Sequence, residues 1–254
     1  MKIIISPAKK MRKNTDAIMW ESEPILLEET KVLKSWLASL SYEELKSLWK
    51  CSDKIAEVNF QRIQHMQLDR NRTAALLAYE GIQYQYMAPE VFSDDAWTYV
   101  QEHLRILSGF YGVLRPLDGI VPYRLEMQAK PGPGGCADLY AYWGKKICDT
   151  LIKDEECILN LASAEYAKCI SRYLPDTVRM VTCIFAEEKN GKYVQAGTMA
   201  KMARGEMTRY LAENQIQKLE EIKQFGGLDF CFAPEKSSDK ELIFLRQSEK
   251  IALT

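Results

Sequence analysis

The run LRILSGFYGVLRPLDGIVPYRLEM, residues 104–127, constrains the fold of this chain more than any other stretch. Trp97, Val100, Leu104 and Leu107 recur at helical spacing, which predicts a helix capped by Ser93 or Asp94 and running to Ser108, where Gly109 ends it. From there Gly109, Gly112, Pro116, Gly119 and Pro122 interrupt the backbone every few residues, so the chain must pass through successive tight turns. Arg115 precedes Pro116 and is driven into an extended conformation. Arg105, Arg115 and Arg124 therefore stand on or beside a turn-rich segment that also holds Phe110, Tyr111 and Tyr123, a combination suited to phosphate and base contacts.

Around this segment helices and strands alternate. Residues 2–5 and 157–161 read as short buried strands, and Ser6 with Pro7 suits either a helix start or an abrupt turn. Amphipathic helices are expected over 28–40, from Ser41 onward, where Glu44 completes a capping-box pattern, and from Ser52 or Asp53 to 64. Residues 73–79 form an apolar run that periodicity leaves open between a strand and a short helix. Beyond the central run, spacing predicts a helix over 139–151, and Ser163 occupies the cap position of a helix over 164–174. Strands over 179–185 and 192–196 flank a turn at Asn190 and Gly191. Helices over 199–214 and 217–225 and two closing strands, 229–233 and 241–246, complete the pattern. It reads as a mixed α/β (α+β) chain, one compact domain over 1–254 with a central sheet flanked by helices. The 47% hydrophobic content of 254 residues is enough to build such a core.

Charge narrows the functional classes. With 34 basic and 35 acidic side chains the formal net charge is -1, so the chain does not coat nucleic acid, and any nucleic-acid site must be a local patch. Lys9, Lys10, Arg12 and Lys13 make one basic cluster after the first strand, and Lys201, Arg204 and Arg209 make a second on the 199–214 helix. The first could equally be a solvated basic loop. Gly205 within that helix costs about 1 kcal/mol relative to alanine, which points to a close approach by another element or a ligand. The strand, turn and helix start around Asn160 and Ser163 could bind an anion through free N–H groups, or Ser163 could simply cap and Asn160 pin the turn.

A different class of function is an enzyme acting on a nucleobase, a nucleotide or a phosphorylated small molecule in a cleft. Glu126, Glu165, Ser163 and Asn160, with Asp118, could supply acid–base or ribose contacts beside Arg115 and Arg124. The plainer account pairs Glu126 with Arg124 and Asp118 with Arg115 as ion pairs. Two separated histidines and no CxxC pair give no basis for a metal, and without a Walker A run or GxGxxG no nucleotide cofactor is expected. The seven scattered cysteines fit a reducing compartment, and the apolar runs are too short to span a bilayer, so a cytoplasmic location is expected.

The segments ISPAKKM, LLAYEGIQY, HLRILSGFYGVLRPLDGIVPYRLEM, LYAYWG, NLASAEY and ARGEMTRY, in order along nearly the whole chain, resemble the YaaA family of bacterial peroxide-stress proteins. The resemblance implies a DNA-binding protein of the hydrogen peroxide response that helps to limit iron-dependent DNA damage. It also implies a positively charged cleft and a helix-hairpin-helix-like element, which would fall at Ser108 to Leu114. Such a hairpin grips duplex backbone through N–H groups and nearby cations, independently of sequence though open to structural selectivity. The residues expected to contact DNA are Lys9, Lys10, Arg105, Gly109, Gly112, Arg115, Arg124, Lys201, Arg204 and Arg209. A monomer without cofactor is expected, and by the same resemblance 73–79 is expected as a strand.

Overall fold

A computed structural model describes residues 1–13, 18–153, 155–189, 192–195 and 197–246. Its organising element is β1 (Lys2–Ile5), whose Ile3, Ile4 and Ile5 are all at most 1% exposed. A strand buried on both faces cannot alternate polar and apolar residues, and β1 does not. Helices α1 (Leu27–Ser39), α2 (Tyr42–Trp49), α3 (Asp53–Gln64), α4 (Ile82–Met87) and α5 (Asp94–His103) then lead to β2 (Leu104–Ser108) and β3 (Gly112–Leu114). There follow α6 (Leu139–Trp143), α7 (Lys146–Leu151), β4 (Cys157–Leu161), α8 (Ala164–Ser171), β5 (Arg179–Lys189), β6 (Lys192–Val194), α9 (Gly197–Glu213), β7 (Phe230–Phe232) and β8 (Glu241–Arg246).

These strands form one sheet in the order β7-β8-β5-β4-β1-β2-β3, with β6 paired to β5. The five central strands, β8 to β2, run parallel, and β3 and β7 close the edges antiparallel. Ile5 is in register with Ile106 on one side and with Leu161 on the other. From β1 the chain proceeds to β2 on one flank and then crosses back to place β4 on the opposite flank. That reversal opens a crevice at the carboxyl ends of β1 and β4, where open α/β sheets characteristically bind ligands. A single cluster of buried side chains runs through the sheet and both helical layers.

Local sequence chemistry explains most boundaries. At α2, the Glu44 N–H donates to Ser41 Oγ and the Ser41 N–H donates to the Glu44 carboxylate, at 3.3 and 2.8 Å. Gly144, at φ 50°, breaks the helix expected over 139–151 into α6 and α7. Of the 217–225 segment only Leu219–Ile222 is helical. Residues 73–79 satisfy both readings in part: Thr73–Ala74 pairs with Gly119–Ile120, Ala75–Ala78 is one helical turn, and Tyr79 pairs with Met11. The turn expected at Asn190 and Gly191 lies outside the described residues.

The central run departs from expectation in an instructive way. The helix ends at His103 rather than Ser108, because Leu104 turns extended (φ -84°, ψ 138°) and β2 joins β1. Leu104, Ile106, Leu107 and Ser108 are all buried, and an apolar strand abutting a helix continues the helical spacing by coincidence. Ser108 to Leu114 therefore joins two strands, not two helices, and no helix-hairpin-helix forms there. The hairpin N–H groups of Phe110 and Tyr111 donate to Ser108 Oγ at 3.1 and 2.8 Å and are unavailable to phosphate. Gly109 and Gly112 belong to the core. A Cβ on Gly109 would sit 2.6 Å from Leu125 O, and one on Gly112, at φ 74°, would strike Leu26 and Trp143.

Candidate functional site

At the carboxyl ends of β1 and β4, Ser6 and Ser163 lock the two strands together. The Ser163 N–H donates to Ser6 Oγ at 2.8 Å, and the Ser6 hydroxyl donates to Ser163 Oγ at 3.2 Å. Ser163 is the residue before α8, yet its side chain caps no N–H of that helix, and the first N–H groups of any helix lack intrahelical partners. Asn160 performs the plainer of its two expected roles. Its Oδ1 accepts from the Ala162 N–H at 2.9 Å and its Nδ2 donates to Thr182 Oγ1 at 3.1 Å, which pins the turn.

Above this junction lies a crevice of about 430 Å³, walled by Ser6 to Lys10, by Glu80 to Tyr84, by Tyr123 to Glu126, by Ser163, Glu165 and Tyr166, and by Lys201 and Arg204 of α9. Its volume is that of a small-ligand site. Five of the lining residues are basic (Lys9, Lys10, Arg124, Lys201, Arg204) and three are acidic (Glu80, Glu126, Glu165), so a protein of net charge -1 carries a local excess of cations here. Glu126 is shared between Lys9 at 2.7 Å and Arg124 at 3.3 Å, and Glu80 holds Lys10 at 2.9 Å. Among the described residues no carboxylate pairs with Arg204, whose guanidinium burial pushes below its ordinary pKa.

Unsatisfied donors concentrate at the same place. Five buried side-chain N–H groups lack an acceptor among the described residues, and three of them, Arg124 Nε, Arg204 Nε and Gln83 Nε2, belong to crevice residues. An orphaned buried donor costs about 1–3 kcal/mol, so three at one cavity amount to a standing demand for acceptors. Burial pushes the Glu165 carboxyl up from its ordinary value and Glu126 adds to the rise, while the Gln128 N–H, 3.3 Å from Glu165 Oε1, opposes it. The tyrosine walls are held from behind. Tyr84 Oη donates to Ser6 O at 3.0 Å, and the Tyr123 hydroxyl lies 2.8 Å from that of Tyr79 and 2.6 Å from Ser108 Oγ.

The helices on either side of the crevice touch through main chain. Gly205 of α9 packs so closely on α4 that a Cβ would come within 2.1 Å of Gln83 O, which accounts for a glycine inside a helix. The structure thus brings together Lys9, Lys10, Arg124, Lys201, Arg204, Ser163, Glu126 and Glu165 around one cavity. It does not bring Arg105, Arg115 or Arg209 there. Arg105 Nη1 donates to Gln101 O and Leu104 O, Arg115 is tied to Asp118, and Arg209 pairs with Glu213 one turn along α9 at 2.7 Å. Sequence reasoning left out Gln83, Tyr84 and Tyr166. Only the strand-end position of Ser6 pointed to the switch point, and nothing local marks Gln83. No group of three or more His, Cys, Asp or Glu among the described residues is arranged to hold a metal, and no helix there is long and apolar enough to cross a membrane.

Comparison with known proteins agrees with this geometry in extent, covering every wall of the crevice. A family model described as peroxide stress protein YaaA matches residues 1–236. A UPF0246 protein of Lachnoclostridium phytofermentans is 51% identical over 251 residues, covering 99% of this chain and 98% of its own length. UPF0246 proteins of Ligilactobacillus salivarius and Agathobacter rectalis are each 50% identical, over 246 and 247 residues, with 97% of this chain covered in both cases. Matched from the first strand through the last wall of the crevice, the chain belongs to the peroxide stress protein YaaA family.

Proposed function

We propose that this member of a peroxide-stress family binds DNA through the crevice, and that it helps to limit iron-dependent DNA damage in the cytoplasm as a monomer. The observation that carries the reading is the excess of cations around one cavity, five basic side chains against three acidic. Phosphate oxygens are acceptors only and match such a cluster of cations, and a guanidinium fork suits them better than an ammonium. Contacts of this kind carry no base identity, so binding is sequence-independent. Lys9, Lys10 and Lys201 lie at the exposed rim and Arg124 and Arg204 deeper. A strand laid across the rim meets the lysines first.

Fluorescence anisotropy of a labelled duplex titrated at several KCl concentrations tests this. Affinity should fall with salt at a log–log slope of about -0.9 per phosphate engaged. Lys201→Ala should flatten the slope by about 0.9, and Arg204→Ala should weaken binding about tenfold or more. Absence of binding at low salt, or both variants behaving as the parent, would overturn the proposal.

A second reading rests on Glu126 and Glu165, neighbouring carboxylates of which one is raised: such a pair can divide acid and base roles in an enzyme acting on a nucleotide or phosphorylated small molecule. Turnover lost in both Glu126→Gln and Glu165→Gln would favour it; turnover unchanged in either removes that residue.

A further inference from the structure

A duplex alone does not use what the crevice offers. A phosphate running along an intact double helix can reach the rim lysines, but Gln83 is only 7% exposed and the Arg124 side chain 11%, beneath what the outside of a duplex can touch. Only a group that leaves the base stack, or one that arrives unattached, can come to them. Gln83 is also the wrong chemistry for a phosphate-only site. A carboxamide presents a donor and an acceptor side by side, the alternation found on the edge of a nucleobase, whereas phosphate has no donor to offer in return. Tyr84, Tyr123 and Tyr166 line the same cavity, whose volume of about 430 Å³ matches one small ligand and not a helix of stacked pairs.

From these observations we infer that the crevice is a single-nucleotide pocket. The edge of one base meets the Gln83 amide among the tyrosines, and its phosphate meets Arg204 beside the Ser6–Ser163 junction. The inference rests on the DNA-binding reading for the source of that nucleotide, a unit unstacked from a strand; a free mononucleotide offers the same chemistry. Extruding a paired base costs a few kcal/mol, so an unpaired or mismatched position would be favoured. The orphaned amide supplies an independent sign. A buried Nε2 without an acceptor destabilises the ligand-free protein, so a small shift of this wall that admits a ligand's acceptor is offset by the hydrogen bond it forms.

Isothermal titration of the full chain with the 5′-monophosphates of adenosine, guanosine, cytidine and deoxythymidine, alongside inorganic phosphate, tests the pocket. At least one nucleotide should bind about tenfold more tightly than phosphate. In Gln83→Leu that nucleotide should fall to the level of phosphate, while the melting temperature of the ligand-free variant holds or rises by about 2 °C. Four nucleotides binding no better than phosphate would overturn the inference, and that titration of the parent decides it whatever the variant does. A duplex carrying 2-aminopurine opposite a mismatch separates the sources: fluorescence rising on saturation, and reversed by the free nucleotide, identifies the unstacked unit. Nucleotide preference without any duplex binding sustains the pocket and ends the DNA reading; duplex binding without nucleotide preference does the reverse.

Discussion

Arg115 and Arg204 carry the same side chain and sit in opposite states. Around Arg115 acceptors are in place on two sides: its N–H and Nε donate to the two oxygens of Asp118 at 2.8 and 3.0 Å, and Nη2 donates to Glu23 O at 3.0 Å. Asp118 is fully buried and also accepts from the Ser22 hydroxyl, so the cluster stitches residues 22–23 to the turn that follows β3. At Arg204 a buried Nε has no acceptor among the described residues. The difference teaches that the count of acceptors, not the presence of a cation, separates an arginine committed to the fold from one with a donor to spare. Both belong to a carboxylate-rich protein, yet only the first has drawn a carboxylate to itself.

The largest test of this contrast is Arg115→Ala. Removing the partner of a buried carboxylate should cost on the order of 3–5 kcal/mol in urea denaturation, while the salt dependence of DNA binding by the folded fraction stays that of the parent. A variant as stable as the parent would break the comparison. Gly205→Ala comes next, because its Cβ must push α9 away from Gln83 O and both helices wall the crevice. A loss of about 1–3 kcal/mol is expected, together with weaker ligand binding than a single lost charge produces, measured by thermal melting and anisotropy. Stability and affinity both untouched would show that the walls are not coupled.

The smallest effect concerns pH. Glu165 takes up its proton at higher pH than an ordinary glutamate, because burial and Glu126 disfavour its charge. As pH falls from neutrality through that raised pKa the crevice loses a negative charge, so DNA affinity should rise there, and Glu165→Gln should hold the higher affinity with a flatter profile. The linked stability has the same sign: a carboxyl with a raised folded-state pKa stabilises the fold more as it protonates, and that contribution is lost as pH climbs past it. A parent profile already flat would remove Glu165 from the electrostatics of the site.

Much of the fold could be read before the structure. The strands at 2–5 and 157–161, the capping box at Ser41 and the glycine demanded inside α9 each follow from local chemistry that tertiary context did not overrule. The strand at 104–108 did not, because a buried run after an amphipathic helix satisfies both periods. Gly109 and Gly112, read as a phosphate grip, answer to packing against Leu125 and Trp143, partners that no neighbouring residue announces. The site was legible in its cations near Ser6 and on α9. The wall from α4 was not, since Gln83 comes to the same cavity as Arg204 only through the packing of α4 on α9, and Arg105 and Arg115 look in sequence as available as Arg124.

The central place of β1 has a consequence for biosynthesis. Its residues Ile3–Ile5 pair with residues 104–106 and 159–161, so the strand leaves the ribosome well before the neighbours that flank it. The roughly 150 intervening residues take on the order of ten seconds to be made, an interval in which an unpaired isoleucine ribbon is open to wrong pairing. Newly made chains should therefore depend on holding factors until β4 emerges, and a rearranged gene that moved this strand to the far end would shorten that exposure.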